Sequence, residues 1–212
     1  MKLDIIINEI VSDPKLHLKW LNTLSLMEFT GSKKISRYIQ FNNANYSNLK
    51  HAAEEARHAF YLKKQLSKIK SDFPDNYDAE NLLAPIKSQQ YLRLLDVKTL
   101  RYLRLKFTFI PEEILNMAAY LLVTFAIEKR AEDIYPIYQN ALDEAGSKVN
   151  VKSIIAEEEG HLEEMTQQLE KFNEDWEEMA KRILSIENDI FKDWMESVFK
   201  EVNTKPGRVS LA

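Results

Sequence analysis

Cysteine is absent from the 212 residues, which excludes disulfides, zinc knuckles, iron–sulfur clusters and thiol nucleophiles. Glycine and proline are scarce, with 4 and 6 copies, so little interrupts very long helices. No strong excess of either charge exists: the formal net charge is -4, giving no global reason to expect nucleic acid or an anionic membrane as partner. Long apolar runs are missing too. The opening Ile5-Ile-Ile7 stops after three residues, too short for a signal peptide, and the stretch Ile114 to Ile127 ends at Glu128, short of a membrane span. The expectation is one soluble domain over residues 1–203, with a flexible tail at 204–212, in a reducing cytoplasm.

What is present is a tripartite pattern written twice. Glu28 is followed by Glu55-Ala-Arg-His58, and Glu128 by Glu158-Glu-Gly-His161. Residues three apart share a helix face, so each E-x-x-H aims a carboxylate and an imidazole at one point. All four glutamates fall on apolar stripes. Leu21, Leu24, Glu28, Gly31, Ile35 and Tyr38 recur at spacings of three and four, as do Met117, Leu121, Thr124, Glu128, Ala131 and Tyr135. Burying such charges costs several kcal/mol each unless something neutralises them. Two divalent ions cancel four carboxylates, and four Glu with two His on four helices is a ligand set used for two metals in a bundle core. The alternative is acids at helix edges, half exposed and paired with Lys or Arg.

The coarse layout follows from caps and breakers. A first bundle helix begins at Asp13-Pro14, a cap followed by proline at the first helical position. Asn42 to Asn45 reads as a turn, and a second helix runs to about Ser71. Residues 72–110 differ in texture and read as a long crossover holding a short amphipathic stretch around Gln89 to Leu105. A third helix starts at Pro111-Glu112-Glu113, and Pro136 should kink or end it. Ala145-Gly146-Ser147 is a turn into the fourth helix. A continuous helix from 149 to 200 would be roughly 75 Å long, so a break is expected near Asn173 to Asp175 or Ser185 to Asn188. The apolar set Ile186, Ile190, Phe191, Trp194, Val198 and Phe199 beyond it packs on the bundle or on a second subunit, and a homodimer is expected.

The arrangement E…E-x-x-H…E…E-x-x-H resembles the ferritin-like diiron-carboxylate superfamily, over roughly residues 14–172 and most clearly at Ala53–Ala59 and Ala156–His161. The resemblance implies an all-α, ferritin-like four-helix bundle with a long crossover between helices 2 and 3 and an extra C-terminal helix. It implies Glu28 and Glu128 as single-helix ligands, Glu55 and Glu158 as bridges, and His58 and His161 as one ligand to each metal. Glu132, one turn after Glu128, offers an extra carboxylate of rubrerythrin type. Departures narrow the choice: strict rubrerythrins carry a four-cysteine domain absent here, ferritins generally lack the second motif's histidine, and the H-x-x-x-D-x-x-H pattern of haem-oxygenase-like oxidases does not occur.

Carboxylate-rich sites with one His per metal suit two iron ions, with manganese or a mixed Mn/Fe pair as competitor. The reading is a dimetal oxidoreductase activating dioxygen or peroxide, with a small organic substrate and an electron-donor protein as partners. A ferroxidase or iron-handling protein is the rival. An enclosed apolar pocket beside Gly31 and Ala131 would favour the first, an acidic channel the second. His51, one turn before Glu55, could hydrogen-bond it but reads first as a surface or boundary histidine, and Arg57 and Asp133 as partners fixing histidine tautomers or as plain salt bridges. Tyr38, Tyr61, Tyr120, Tyr135 and Trp20 are core aromatics that could lie close enough for electron transfer. Arg93, Lys98, Arg101, Arg104 and Lys106 form a solvated basic face or a dock for an acidic redox partner.

Overall fold

The computed structural model describes residues 2–39, 44–70, 72–74 and 76–204, and all regular structure among them is helical. The helices are α1 (Leu3–Ser12), α2 (Pro14–Tyr38), α3 (Tyr46–Leu66), α4 (Pro85–Lys106), α5 (Glu112–Glu144), α6 (Lys152–Phe172) and α7 (Trp176–Asn203). No helix among the described residues is long and apolar enough to cross a membrane.

Local chemistry sets most of the boundaries. The Asp13 carboxylate accepts from the backbone N–H groups of Lys15 at 2.9 Å and Leu16 at 3.3 Å, and Pro14 supplies the preset φ of the first helical position. The Asn45 side chain caps α3 by accepting from the Asn48 N–H at 2.9 Å. Asn42 and Asn43 of the expected turn lie outside the described residues, as do residues 205–212 of the expected tail. At the end of α5, Gly146 takes φ +61°, and the Ser147 N–H reaches back to the Leu142 carbonyl at 2.9 Å, a turn that favours glycine. The expected break in the long C-terminal helical stretch falls at Asn173 to Asp175, between α6 and α7.

Several sequence expectations are corrected. A helix, α1, precedes the expected start, because Ile6, Ile7 and Ile10 share one face and are fully buried against α5, α2 and α7. The α3 helix ends at Leu66 rather than about Ser71. The crossover holds a 22-residue helix, not a short stretch: Ser88, Tyr91, Leu95, Thr99 and Leu103 recur every three or four residues and are buried against α5, α7 and α2. Finally, of the two outcomes expected at Pro136, the ending is overturned: α5 runs eight residues beyond it. An internal proline costs about 3 kcal/mol. Burial of Ile134, Tyr135, Tyr138, Ala141 and Leu142 on either side of it outweighs that cost.

Two hairpins, α2 with α3 and α5 with α6, form the most extensive helix pairs. The α3–α6 seam between them is polar. Ser47 Oγ donates to Glu164 at 2.7 Å, Lys50 Nζ to Glu164 at 3.3 Å, and Tyr61 OH to the Asn150 side chain at 2.9 Å. The opposite side is apolar, closed by α4, α1 and α7 around stacked Trp20 and Trp194, whose ring centroids lie 5.6 Å apart. The α7 helix buries Ile190, Phe191, Trp194 and Val198, so most of the expected apolar set packs within the chain. One buried charge network lies on this side. Arg130 Nε and Nη2 donate to the two oxygens of fully buried Glu187 at 2.9 and 2.7 Å, the Tyr91 hydroxyl donates to the same carboxylate, and the guanidinium lies 3.9 Å over the Phe191 ring. This network ties α5, α7 and α4 together.

Candidate metal centre

Glu28 on α2, Glu55 and His58 on α3, Glu128 on α5, and Glu158 and His161 on α6 converge between the hairpins. The last five are buried, and Glu28 is nearly so. Two overlapping groups result, each offering ligand atoms within 4.8 Å of one another: Glu28, Glu55, His58 and Glu158, and His51, Glu55, Glu128 and His161. Such buried Glu/His groups can hold metal ions. Glu55 belongs to both. Glu158 also spans the site, with Oε1 at 3.0 Å from His58 Nδ1 and Oε2 at 3.1 Å from His161 Nδ1.

His51 departs from its expected boundary role. It is 2% exposed, with Nε2 3.1 Å from Glu128 Oε1 and 3.4 Å from Glu55 Oε1, and its ring centroid lies 4.3 Å from that of His161. The signal was available in spacing: His51, Glu55 and His58 stand at i, i+4 and i+7, one helical face. Glu132 lies outside both groups. Its carboxylate accepts from Lys129 at 2.6 Å, one turn away on the outer surface of α5.

Each motif histidine is held from behind by an acid of the opposite hairpin. His58 Nε2–H donates to Glu157 at 2.9 Å, and His161 Nε2–H donates to Glu54 at 2.9 Å. The motif is therefore Glu-Glu-x-x-His on both helices, the first acid of each pair serving the other helix's histidine. This exchange orients both rings and turns both Nδ1 atoms inward, as carboxylate–histidine–metal relays do. Arg57 pairs with Glu157 and so steadies His58 through it, whereas Asp133 pairs with Arg130 on the same helix at 3.2 Å. The tyrosines separate likewise. The Tyr135 hydroxyl donates to Glu28, while Tyr61 bonds Asn150 and Tyr38 stacks on Tyr120.

Electrostatics record the crowding of like charges. Burial, then the charge of Glu158, pushes the Glu55 carboxyl up to about 8, and the same two causes push Glu128 up to about 8. Burial and the neighbouring Glu55 raise Glu28 well above the usual carboxylate range. Burial would also raise Glu158, but hydrogen bonds involving Glu128, His161 and His58 hold it well below. Burial disfavours a charged His161, yet its contacts with Glu128 and Glu158 push it up to about 12, and His58 is raised against burial by Glu158 and Glu28. Without metal, protons on these groups thus perform the neutralisation that cations would otherwise supply.

One atom tests the fit of a metal directly. His58 Nδ1 is fully buried and forms no hydrogen bond, because the Glu158 oxygen 3.0 Å away lies off the hydrogen-bonding direction. A buried imidazole nitrogen beside carboxylates yet without a bond of its own suits a cation among them.

Beside the ligands lies a cavity of about 100 Å³, walled by Leu24, Ile35, Ile127, Ile134 and Trp194 and reached by Glu28, Glu55 and Glu128. Gly31 and Ala131 are in its wall. A Cβ at Gly31 would sit 3.3 Å from Glu55 Oε2, so the absent side chain leaves room for that carboxylate. A second opening, of about 190 Å³, reaches Glu158 past Glu132, Asp133 and Pro136. No protein-family model, curated protein or solved structure matches the chain.

Proposed function

We propose that this chain is a ferritin-like dimetal oxidoreductase, with two iron ions as the resident metals and manganese as competitor, acting on dioxygen or peroxide and a small organic substrate. The observation that carries the reading is the pair of four-residue groups sharing Glu55, with an apolar cavity against three of their carboxylates. When bound, two such ions reduce dioxygen or peroxide by two electrons, an electron donor restoring them afterwards. Glu28, Glu55, His58, Glu128, Glu158 and His161 would hold them, with His51 as a seventh ligand, Glu55 and Glu158 in the bridging positions.

The chain's own contribution is positioning and exclusion of water. Glu54 and Glu157 hold the two imidazoles in the ligating orientation. Tyr135 orients Glu28, the least buried of the four carboxylates. The apolar wall offers water few partners on the cavity side, where a substrate would meet the metals.

Iron handling remains the second reading, favoured by the opening that leads past Glu132 and Asp133 to Glu158. Those two acids are engaged by Lys129 and Arg130, which weakens the opening as a cation path. The deciding experiment loads metal-free protein with Fe(II) without oxygen, then admits dioxygen or peroxide while optical spectra and bound metal are followed. About two irons per chain with one round of oxidation, lost in Glu55→Ala/Glu158→Ala, support the oxidoreductase. Oxidation of many irons per chain would favour iron handling. Absence of tight metal, or no loss in the variant, would refute the centre itself.

A further inference from the structure

The apolar cavity is not isolated. Thr30, Lys34 and Leu92 line both it and a surface cleft of about 950 Å³ between α2, α4 and α5. The cleft has the opposite character. Lys33, Lys34, Arg37 and Arg93 face Asp96 and Glu113 across it. Lys34 and Asp96 pair with each other, linking α2 to α4. That leaves three cations against Glu113, and Arg37 and Arg93 have no hydrogen-bond or ion-pair partner among the described residues. A basic outer cleft thus adjoins, across Thr30, Lys34 and Leu92, an apolar inner chamber lined at its other side by Glu28, Glu55 and Glu128.

From this juxtaposition we infer that the substrate is an anionic amphiphile: a carboxylate or phosphate head held by Arg37, Arg93 and Lys33, and a slender aliphatic chain running past Lys34 to the metal ligands. This rests on the dimetal reading for its chemistry, but not for its binding. Guanidinium groups without internal partners offer planar, bidentate recognition of carboxylate or phosphate oxygens. The inner chamber sets the shape of the other end. A dry cavity of about 150 Å³ takes benzene, so about 100 Å³ suits the tip of a linear chain rather than a ring. The two cations of the inner wall, Lys34 and Arg130, are engaged by Asp96 and Glu187, so an anionic head entering there would lose its water against an apolar wall without finding a free cation. The head must therefore stay outside and the apolar end go in.

The test is binding to the metal-free full chain at pH 6, read by calorimetry and by the fluorescence of Trp194, which lines the inner chamber. Octanoate and octyl phosphate are the probes, octan-1-ol the uncharged tail, acetate and inorganic phosphate the tail-less heads. At least one charged probe should bind roughly tenfold or more tighter than octan-1-ol and perturb the tryptophan signal, with the tighter of the two assigning the head. Arg37→Glu/Arg93→Glu, on the surface and away from the ligands, should abolish that advantage while leaving octan-1-ol binding and Fe(II) stoichiometry unchanged. Ala131→Leu should weaken all three tailed probes. Equal binding of octanoate, octyl phosphate and octan-1-ol, an unaffected charge-reversal variant, or no binding by any tailed probe would overturn the inference. Fe(II) stoichiometry, measured separately, tells its failure from that of the dimetal reading.

Discussion

The metal-free protein should lose stability as pH rises through neutrality. Glu55 and Glu128 stay protonated in the fold up to about 8, whereas in an unfolded chain they ionise near the ordinary value of 4.5. Between those limits the folded state holds more protons, so stability falls with pH at about 1.4 kcal/mol per unit for each group. Below pH 6.5 one buried histidine works the other way. His17, whose ring bonds the Tyr138 hydroxyl at 2.7 Å, is lowered by burial to about 4, so between 4 and 6.5 it makes stability rise with pH and offsets one carboxyl. Above 6.5 that offset ends. His161, raised to about 12, begins to add to the fall because its unfolded counterpart has lost its proton. Glu158, held low, matters only in acid, where its contribution is lost as pH drops below 4.5. From pH 6.5 to 7.5 Glu55, Glu128 and His161 together give a loss of about 3 kcal/mol, or roughly 6–12 °C in Tm for a chain of this size, and Glu28 and His58, both raised, add in the same direction. Differential scanning fluorimetry of the chelator-treated protein measures it, and urea unfolding at the two pH values gives the free energy. Bound metal displaces these protons, so the holo-minus-apo difference should widen over the same interval. Glu55→Gln/Glu128→Gln removes two titrating groups and should flatten most of the slope. A metal-free Tm that is level or rising from pH 6.5 to 7.5, or a slope that survives the double variant, would refute the assignment of protons to this cluster.

Replacing the two rear acids, Glu54→Gln and Glu157→Gln, leaves every ligand in place but loosens both histidines; metal affinity should fall about 10- to 100-fold for each, read by competition with a chelator. Gly31→Ala would gain up to about 1 kcal/mol of helix propensity while pressing on Glu55 Oε2 at 3.3 Å, so Tm should change little and bound metal per chain should drop, a combination that metal analysis with thermal melts detects. Arg130→Met strands the fully buried Glu187 and should cost about 3–5 kcal/mol in urea unfolding, with much of the loss recovered in Arg130→Met/Glu187→Leu, where no unpaired charge remains.

The parts of this molecule that were legible in advance are those where one residue type answers one physical need. Asp13-Pro14 capped a helix, Gly146 closed one, and four glutamates on apolar stripes pointed to one buried cluster, where they lie in two groups joined through Glu55. Where the outcome depended on which surface packs against which, local pattern was insufficient. The α1 segment is too short to hold helical form alone and owes it to the burial of three isoleucines, and α4 reads as a weak amphipathic stretch until α5, α7 and α2 close on it. Pro136 shows the same rule reversed, a local breaker overruled by the packing on both sides of it.

His51 and the rear acids Glu54 and Glu157 were hidden for a different reason. Each lies close in sequence to a residue of the E-x-x-H pairs and, taken alone, is not set apart from an ordinary helix-edge polar residue. The rear acids act only across the α3–α6 seam: Glu54 reaches His161 and Glu157 reaches His58. Adjacent helix positions point about 100° apart, so in a doublet one acid facing a shared interior leaves the other facing the neighbouring helix. Two doublets on facing helices can then satisfy each other's histidines, and that reciprocity needs both copies of the motif. The duplicated pattern therefore carries more than a ligand count. It requires the two hairpins to meet in one register, since sliding α3 against α6 by a single turn would carry Glu54 and Glu157 about 5 Å away from the nitrogens they hold.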